Sequence, residues 1–130
     1  YIVDTHALIW YLEGNPKLGS AALAVMDDPD SQLVLPIIAL AEAIDIVGKG
    51  RTSIPSLADL LDDVKDDVRI EIDPLTREVL DQSLSAQAVP EMHDRLIVAA
   101  GINLEKHGFQ VSILTRDPDI IASGLLPIVW

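Results

Sequence analysis

Four acidic residues carry side chains that could bind a hard divalent cation: Asp4, Glu42, Asp94 and Asp117. Carboxylate oxygens are the ligands that Mg²⁺ and Mn²⁺ prefer, and a cluster of them can hold the ions that promote phosphodiester hydrolysis. The four residues are spread along almost the whole chain, and each lies beside an apolar strand or within an apolar helix of the predicted fold. If folding brings them together, they form an oxygen-ligand cage. We therefore predict that they are both metal ligands and catalytic residues.

Such a cluster has chemical consequences of its own. Carboxylates that are crowded together repel one another, so at least one should have a raised pKa in the metal-free protein. Two ions about 4 Å apart could activate water and stabilise the leaving 3′ oxygen of a cut strand. The predicted products are a 5′-phosphate and a 3′-hydroxyl. No serine, cysteine or histidine nucleophile is needed, and the protein contributes positioning and electrostatics.

Glu42 is the most informative of the four acids. Its predicted helix, residues 36–47, contains only one other charge, Asp45, which has Lys49 four residues further on. Glu42 has isoleucine at the same spacing on either side, so no cation of its own helix neutralises it. Burial of an unpaired carboxylate costs several kcal/mol. Either an arginine from another element or a metal shared with other acids must compensate it, and the sequence leaves both alternatives open.

The other three acids each have a structural explanation as well. Asp4 follows a strand and precedes a helix, so it could cap that helix alone or with Thr5. Asp117, which is followed by Pro118, is suited to cap a short helix. Asp94 could be an acid in a first helical turn, stabilised by the helix dipole. Each of these acids is therefore a weak signal alone, and only their combination predicts a site.

Two threonines and two arginines adjoin these acids and are candidates for substrate contact or for support of the ligands. The hydroxyls of Thr5 and Thr115 could orient a ligand carboxylate or a water. Arg95 and Arg116 could hold the scissile or a neighbouring phosphate, and salt bridges to the site acids explain them equally well.

Three ring side chains near the acids remain ambiguous in the sequence. His6 and His93 adjoin the site acids but need not point into the site, and no histidine has a spacing typical of zinc. Trp10 is expected in the core or at a dimer interface, and base stacking is its alternative role.

The charge balance limits how the protein could contact a nucleic acid. The chain has 9 Lys and Arg against 21 Asp and Glu, a net charge of −12, which excludes an ordinary basic nucleic-acid binder. Without the four proposed ligands, 17 acids against 9 bases still leave −8. The surplus acids are expected to form solvated faces, or a surface that a basic partner covers. Contact with RNA must then depend on bound metal and on local cations, such as Lys49, Arg51, Arg95 and Arg116.

Length and composition indicate one domain over residues 1–130. The chain has 49% hydrophobic residues, enough for a core, and its lack of cysteine excludes disulfides and thiolate metal sites. Its longest uncharged runs, residues 31–41 and 120–130, are shorter than the roughly 20 residues of a membrane span. We expect no membrane insertion and a cytoplasmic location.

Short β-rich runs alternate with longer helical patterns, which predicts an α/β fold: a three-layer α/β/α sandwich with a central, mainly parallel sheet. The predicted strands cover residues 2–3, 33–35, 68–72, 111–114 and 127–130, the last as an edge strand. The predicted helices cover residues 7–13, 21–26, 36–47, 57–68, 74–86 and 92–106, with one short turn at 118–122. Ligands gather beyond the carboxyl ends of strands in such sheets, and Asp4 and Asp117 lie at two of these ends.

Four segments together resemble a known family. They are V-D-T-H-A-L-I-W-Y-L at 3–12, A-E-A-I at 41–44, H-D-R-L-I-V-A-A at 93–100 and L-T-R-D at 114–117. In order and spacing they resemble the acidic motifs of the PIN-domain nucleases, specifically the bacterial VapC-type toxins of toxin–antitoxin pairs. Gly101 is a departure, because the family commonly continues with another small residue there.

The resemblance implies a Rossmann-like, PIN-like fold in which Asp4, Glu42, Asp94 and Asp117 form the acidic quartet. It also implies Mg²⁺ or Mn²⁺ dependence, endoribonuclease activity on RNA, a homodimer, and a VapB-type antitoxin that inserts a tail into the site. Two other classes of protein stay open. A haloacid-dehalogenase-like phosphatase expects a second Asp where this chain has His6, and a non-catalytic PIN-like interaction module would suit the acidic surface.

Overall fold

Five short strands and seven helices make up the computed structural model, which describes residues 1–130. The strands are β1 (Ile2–Val3), β2 (Leu33–Pro36), β3 (Ile70–Asp73), β4 (Ile113–Leu114) and β5 (Ile128–Val129). The helices are α1 (Thr5–Leu12), α2 (Ser20–Asp27), α3 (Ile37–Gly48), α4 (Leu57–Asp66), α5 (Arg77–Ser83), α6 (Met92–Lys106) and α7 (Pro118–Ser123). Every predicted element is present, and the differences lie at the ends.

Several element ends differ from the prediction because local contacts decide them. Pro36 is the extended last residue of β2 instead of the first residue of α3. Helix α5 begins only at Arg77, because the Thr76 hydroxyl accepts the amide of Val79 at 3.3 Å and caps it there. Val68 is 96% exposed in the turn before β3 and belongs to no strand. The segment from Pro118 forms a six-residue helix and not a single turn.

The sheet topology determines where a site can form. All four strand pairings are parallel, and the strand order is β3-β2-β1-β4-β5. From β1 the chain moves outward through β2 to β3, then returns to place β4 on the other side of β1. Right-handed crossovers therefore put α1 to α4 on one face and α5 to α7 on the other, which confirms the three-layer α/β/α fold. The point of reversal lies between β1 and β4, where crevices form in open parallel sheets.

Apolar residues of both helical layers pack on the sheet in one large core. Twenty-six buried residues form this cluster, including Ile2, Leu35, Ile97 and Leu114. None of the helices has the length and apolar composition that a membrane span requires.

Close packing of α6 on the sheet explains the glycine at position 101. A Cβ atom there would lie 2.5 Å from Leu126 Cδ1 and 3.3 Å from Ile2 Cγ1. We expect Gly101→Val to lower the free energy of unfolding by about 2 kcal/mol, because overpacking of a filled core costs roughly 1 to 3 kcal/mol. Urea unfolding measures this loss. Gly48→Val is the matched control, because nothing lies within 4 Å of a Cβ there. Equal losses in both variants would contradict the packing argument.

Candidate active site

Asp4 lies at the carboxyl end of β1 and is buried. Its Oδ1 accepts the backbone N–H of Thr5 at 2.7 Å, and its Oδ2 accepts the hydroxyl of Thr115 at 2.6 Å. A usual N-cap side chain binds the amides of the second or third helical residue, and Asp4 reaches neither. Burial raises the pKa of Asp4 despite these hydrogen bonds. Capping of α1 therefore explains its position only in part.

Glu42 projects from α3 into the same region, and an arginine does not compensate it. Its Oε2 accepts the hydroxyl of Thr5 at 2.7 Å, and its Oε1 lies 3.1 Å from Nδ1 of His93. No lysine or arginine nitrogen lies within 4.0 Å of its carboxylate. The alternative of an arginine partner is therefore wrong, and the carboxylate is held towards the other acids by a hydroxyl and an imidazole.

Asp94 is the carboxylate with the fewest partners. It lies in the first turn of α6, and its side chain accepts no hydrogen bond and forms no ion pair. Burial, together with the negative charges of Asp117 and Asp4, raises its pKa to about 7. A favourable helix dipole would lower the pKa of an acid at this position. The dipole alone does not account for Asp94, and the expected raised pKa of a crowded acid is confirmed.

Asp117 follows β4 and combines capping with exposure to the site. Its Oδ1 accepts the backbone N–H groups of Asp119 at 2.9 Å and Ile120 at 3.0 Å, so it is the N-cap of α7. No donor of the protein binds its Oδ2. The N–H of Asp117 donates to the Thr115 hydroxyl at 3.0 Å. One oxygen of Asp117 therefore fixes the helix, and the other is free for a ligand.

All four acids line one cleft at the point of reversal of the sheet. The cleft has a volume of about 400 Å³. Its lining includes, besides the four acids, Thr5, His6, Trp10, Ile46, Glu91, Arg116 and Pro118. The segments that follow β1 and β4 supply two of the acids, α3 supplies the third and α6 the fourth. Tertiary structure thus brings together residues that are far apart in the sequence.

The two predicted arginines have different surroundings. Arg95 is turned away from the acids, because its Nε donates to the carbonyl of Val89 and its Nη2 to the carbonyl of Pro90, both at 2.8 Å. It orders the loop before α6 and does not line the cleft. Arg116 does line the cleft, is exposed, and places its Cζ 5.6 Å from the centroid of the Trp10 ring.

Glu91 is a member of the cleft that the sequence reasoning missed. Its Oε2 accepts the backbone N–H groups of His93 at 2.6 Å and Asp94 at 3.0 Å, so Glu91 caps α6. Its Oε1 lies 3.3 Å from Nδ1 of His93. Glu42, Glu91 and His93 each offer a ligand atom, and these atoms lie within 4.8 Å of one another. The sequence feature that indicates Glu91 is its position directly after Pro90 and one helical turn before Asp94.

Thr115 connects two of the acids through one buried hydroxyl. We expect Thr115→Val to lower the free energy of unfolding by about 2 kcal/mol, because it leaves an oxygen of buried Asp4 without its donor. The pKa of Asp4 should rise, since this hydrogen bond lowers it. Affinity for Mn²⁺ should fall by about 10-fold, as for the loss of other groups that orient a ligand. Thermal unfolding measures the loss of stability, and calorimetric titration measures the loss of Mn²⁺ affinity.

Thr115→Ser is the matched control, because it keeps the hydroxyl and removes only a methyl group. It should retain most of the Mn²⁺ affinity. A serine variant that binds Mn²⁺ as weakly as the valine variant would show that packing, and not the hydrogen bond, is responsible.

Sequence comparison decides the family. The family model described as "PIN domain" matches residues 1–123. The chain belongs to the PIN-domain family. PIN domains are generally metal-dependent nucleases, and the cleft of this PIN domain has the carboxylate donors that such chemistry requires. No curated protein matches the chain significantly in sequence.

Solved structures with the same fold are similar to this PIN domain over nearly its full length. One is VapBC2 from Rickettsia felis bound to a DNA fragment from their promoter, with a TM-score of 0.68 and 14% identity, covering 98% of this chain and 96% of that chain. Another is FitAcB from Neisseria gonorrhoeae, with a TM-score of 0.64 and 15% identity, covering 98% of this chain and 94% of that chain. At these identities the similarity establishes the fold.

Proposed function

We propose that this PIN domain is a metal-dependent endoribonuclease that hydrolyses phosphodiester bonds of RNA. The observation that carries the proposal is the carboxylate of Asp94, which is half-buried among three other acids and has no donor or cation of the protein as partner. Such a group is costly to maintain in the ionised form. A bound divalent cation is the partner that removes this cost.

The donors of the cleft fit Mg²⁺ or Mn²⁺. Asp4, Glu42, Asp94 and Asp117 would hold the metal, and all of their donor atoms are carboxylate oxygens, which these hard cations prefer. When bound, such ions lower the pKa of a water nucleophile and stabilise charge on the leaving oxygen.

The remaining residues of the cleft position these ligands. The hydroxyl of Thr5 holds Glu42, and the hydroxyl of Thr115 holds Asp4, so both carboxylates keep a fixed orientation in the metal-free protein. Arg116 is the one predicted arginine that reaches the cleft, and its exposed guanidinium suits a substrate phosphate. These groups provide positioning and electrostatic stabilisation, which is the share of catalysis left to the protein in such sites.

The biological role that we propose is that of the toxin of a VapBC-type pair in the cytoplasm, acting as a homodimer and inhibited by a VapB-type antitoxin. Both similar structures are of toxin–antitoxin assemblies. Leu80 on α5 is 43% exposed, and Leu84, which follows the last residue of α5, is 69% exposed. Such exposed apolar side chains suit a surface that another subunit covers. Co-expression with a neighbouring antitoxin gene, followed by purification of a complex, tests this role.

Cleavage of RNA by the purified protein tests the enzymatic proposal. We expect structured and unstructured RNAs to be cut in the presence of Mn²⁺ and left intact with EDTA, with 5′-phosphate and 3′-hydroxyl ends on the products. Gel analysis with end-specific labelling measures both. The alternative, a non-catalytic PIN-like interaction module, predicts that Mn²⁺ neither permits cleavage nor raises the melting temperature. Metal-independent cleavage would contradict the proposal.

A further inference from the structure

A second cleft continues from the acidic cleft across the surface of the protein. It has a volume of about 760 Å³ and shares His6, Trp10 and Ile46 with the acidic cleft. Its other side is formed by the loops that follow α1 and α3, residues 13–17 and 50–53. The two clefts therefore form one continuous groove, which leads away from the four acids.

The two loops of the groove have defined conformations. Each turns at a glycine with a positive φ, Gly14 at 61° and Gly50 at 65°, a conformation that other residues rarely adopt. The Oε1 of Glu13 accepts the backbone N–H of Ser53 at 2.6 Å and joins one loop to the other. Its Oε2 accepts the side-chain N–H of Asn15 at 3.0 Å. One oxygen of Glu13 therefore joins the two loops, and the other fixes the conformation of its own loop.

The free cations of this acidic protein are concentrated along the groove. Four of its nine Lys and Arg side chains form no ion pair and no hydrogen bond within the protein, and three of these, Lys17, Arg51 and Arg116, line the two clefts. The fourth, Lys65, lies on α4, away from the groove. The other five are occupied by partners in the fold: Lys49, Arg69, Arg77, Arg95 and Lys106. The second cleft is thus lined by two free cations against one acid, Glu13, on a surface that otherwise repels polyanions.

Trp10 lies at the junction of the two clefts, half-buried beside His6 and Trp130. The Nζ of Lys17 lies 5.9 Å and the Cζ of Arg116 5.6 Å from the centroid of its ring, distances at which cations interact with an aromatic ring. An aromatic ring beside cations is the combination that binds single-stranded nucleic acid, through base stacking and phosphate contacts.

We propose that this groove binds single-stranded RNA next to the scissile bond, with Arg116, Lys17 and Arg51 at successive phosphates and Trp10 against an unpaired base. The inference rests on the proposed nuclease function and assigns the side chains that hold the RNA chain beside the four acids. A base within a duplex is stacked on its neighbours and cannot reach Trp10. The negative charge on the rest of the surface keeps the RNA chain on this track.

Binding of RNA at different salt concentrations tests the inference without cleavage. The probe is a fluorescein-labelled oligouridine, titrated in Mg²⁺ with the full chain carrying Asp94→Asn so that the RNA stays intact, and binding is followed by anisotropy. Lys17→Gln and Arg51→Gln should each reduce the slope of log K against log salt by about 0.7, the value for one phosphate contact to a single strand. Lys65→Gln removes the same charge outside the groove and should leave the slope unchanged. Equal changes in all three variants would overturn the inference.

A second measurement examines Trp10 directly. In the Trp130→Phe background Trp10 is the only tryptophan, and oligouridine should quench its fluorescence. Trp10→Leu should weaken oligouridine binding by about fivefold or more, the effect of losing one stacked base. Trp10 also packs on the core, so the exposed variants at positions 17 and 51 keep the test decisive if this variant does not fold.

Two further probes separate the alternatives. Duplex RNA should lose little affinity in the Lys17 and Arg51 variants. An oligoglutamate peptide whose binding requires these residues, while that of oligouridine does not, would assign the groove to an acidic protein partner and overturn the inference. Failure of the wild-type protein to cut RNA would refute the proposed function alone. Wild-type cleavage with unchanged salt slopes in the groove variants would refute the inference alone.

Discussion

Replacement of Asp94 with asparagine is expected to lower the rate of metal-dependent RNA cleavage by at least about 100-fold. Loss of a group that only orients a metal ligand already costs 10-fold to 100-fold, and Asp94 is proposed as a ligand itself. Its carboxylate has no partner within the protein, so the substitution breaks no hydrogen bond or ion pair of the side chain. Cleavage rates at saturating Mn²⁺, from gel analysis of a labelled RNA, measure the effect.

Stability measurements distinguish a loss of activity in Asp94→Asn from misfolding of the variant. Above pH 7, ionised Asp94 destabilises the metal-free fold, because its pKa is raised to about 7 by burial and by neighbouring acids. Asp94→Asn should therefore melt at a higher temperature than the wild type in EDTA at pH 8. After allowance for solvent screening, the gain is about 1 kcal/mol. Asp62→Asn on the exposed face of α4 makes the same charge change and should alter neither activity nor stability. A destabilised Asp94→Asn protein would contradict the proposed role.

Metal binding should stabilise the protein more at pH 8 than at pH 5.5. The raised pKa of Asp94 means that the folded protein binds this proton more tightly than the unfolded chain does. The stabilisation that this proton gives to the folded state is fully present below pH 3.8 and is lost as the pH rises through about 7. Mn²⁺ requires the ionised carboxylate, so at pH 5.5 it must displace that proton. Saturating Mn²⁺ should therefore raise the free energy of unfolding by about 1 kcal/mol less at pH 5.5 than at pH 8. This value is discounted for solvent screening, because Asp94 is half-exposed.

Thermal unfolding with and without Mn²⁺ across this pH range measures the effect. The difference between the two melting temperatures should grow between pH 5.5 and 8 in the wild type, and hardly change in Asp94→Asn. An increase of the same size in the variant would assign the pH dependence to other groups of the site. No effect of Mn²⁺ at any pH would favour the non-catalytic interaction module.

The distribution of cations reconciles a net charge of −12 with the proposed RNA substrate. The sequence indicates local cations such as Lys49, Arg51, Arg95 and Arg116 for contact with RNA. Folding engages Lys49 with Asp45, and Arg95 with backbone carbonyls. It adds Lys17, which the loop after α1 brings beside Trp10. Position in the sequence indicates which cations are near, and only the tertiary contacts decide which are free.

Most of the fold could be predicted from local patterns. Apolar runs of strand length and helices ended by glycine or proline identify the elements within a few residues, because burial and chain reversal are encoded locally. The ends at Pro36, Val68 and Thr76 could not be placed, since strand pairing, a surface turn and a side-chain cap decide them. The strand order also depends on contacts between distant segments, which periodicity does not contain.

The sequence by itself determined which residues could form a site. Glu42 and Asp94 are acids on apolar helix faces without a cation at helical spacing, a deficit that can be read along the chain. Tertiary structure alone decided that no arginine compensates Glu42, that Arg95 turns away, and that Glu91 lines the cleft while His93 contacts Glu42. The physical reason is that helix and strand periodicity are local properties. The convergence of β1, β4, α3 and α6 at one end of the sheet arises only when the whole core packs.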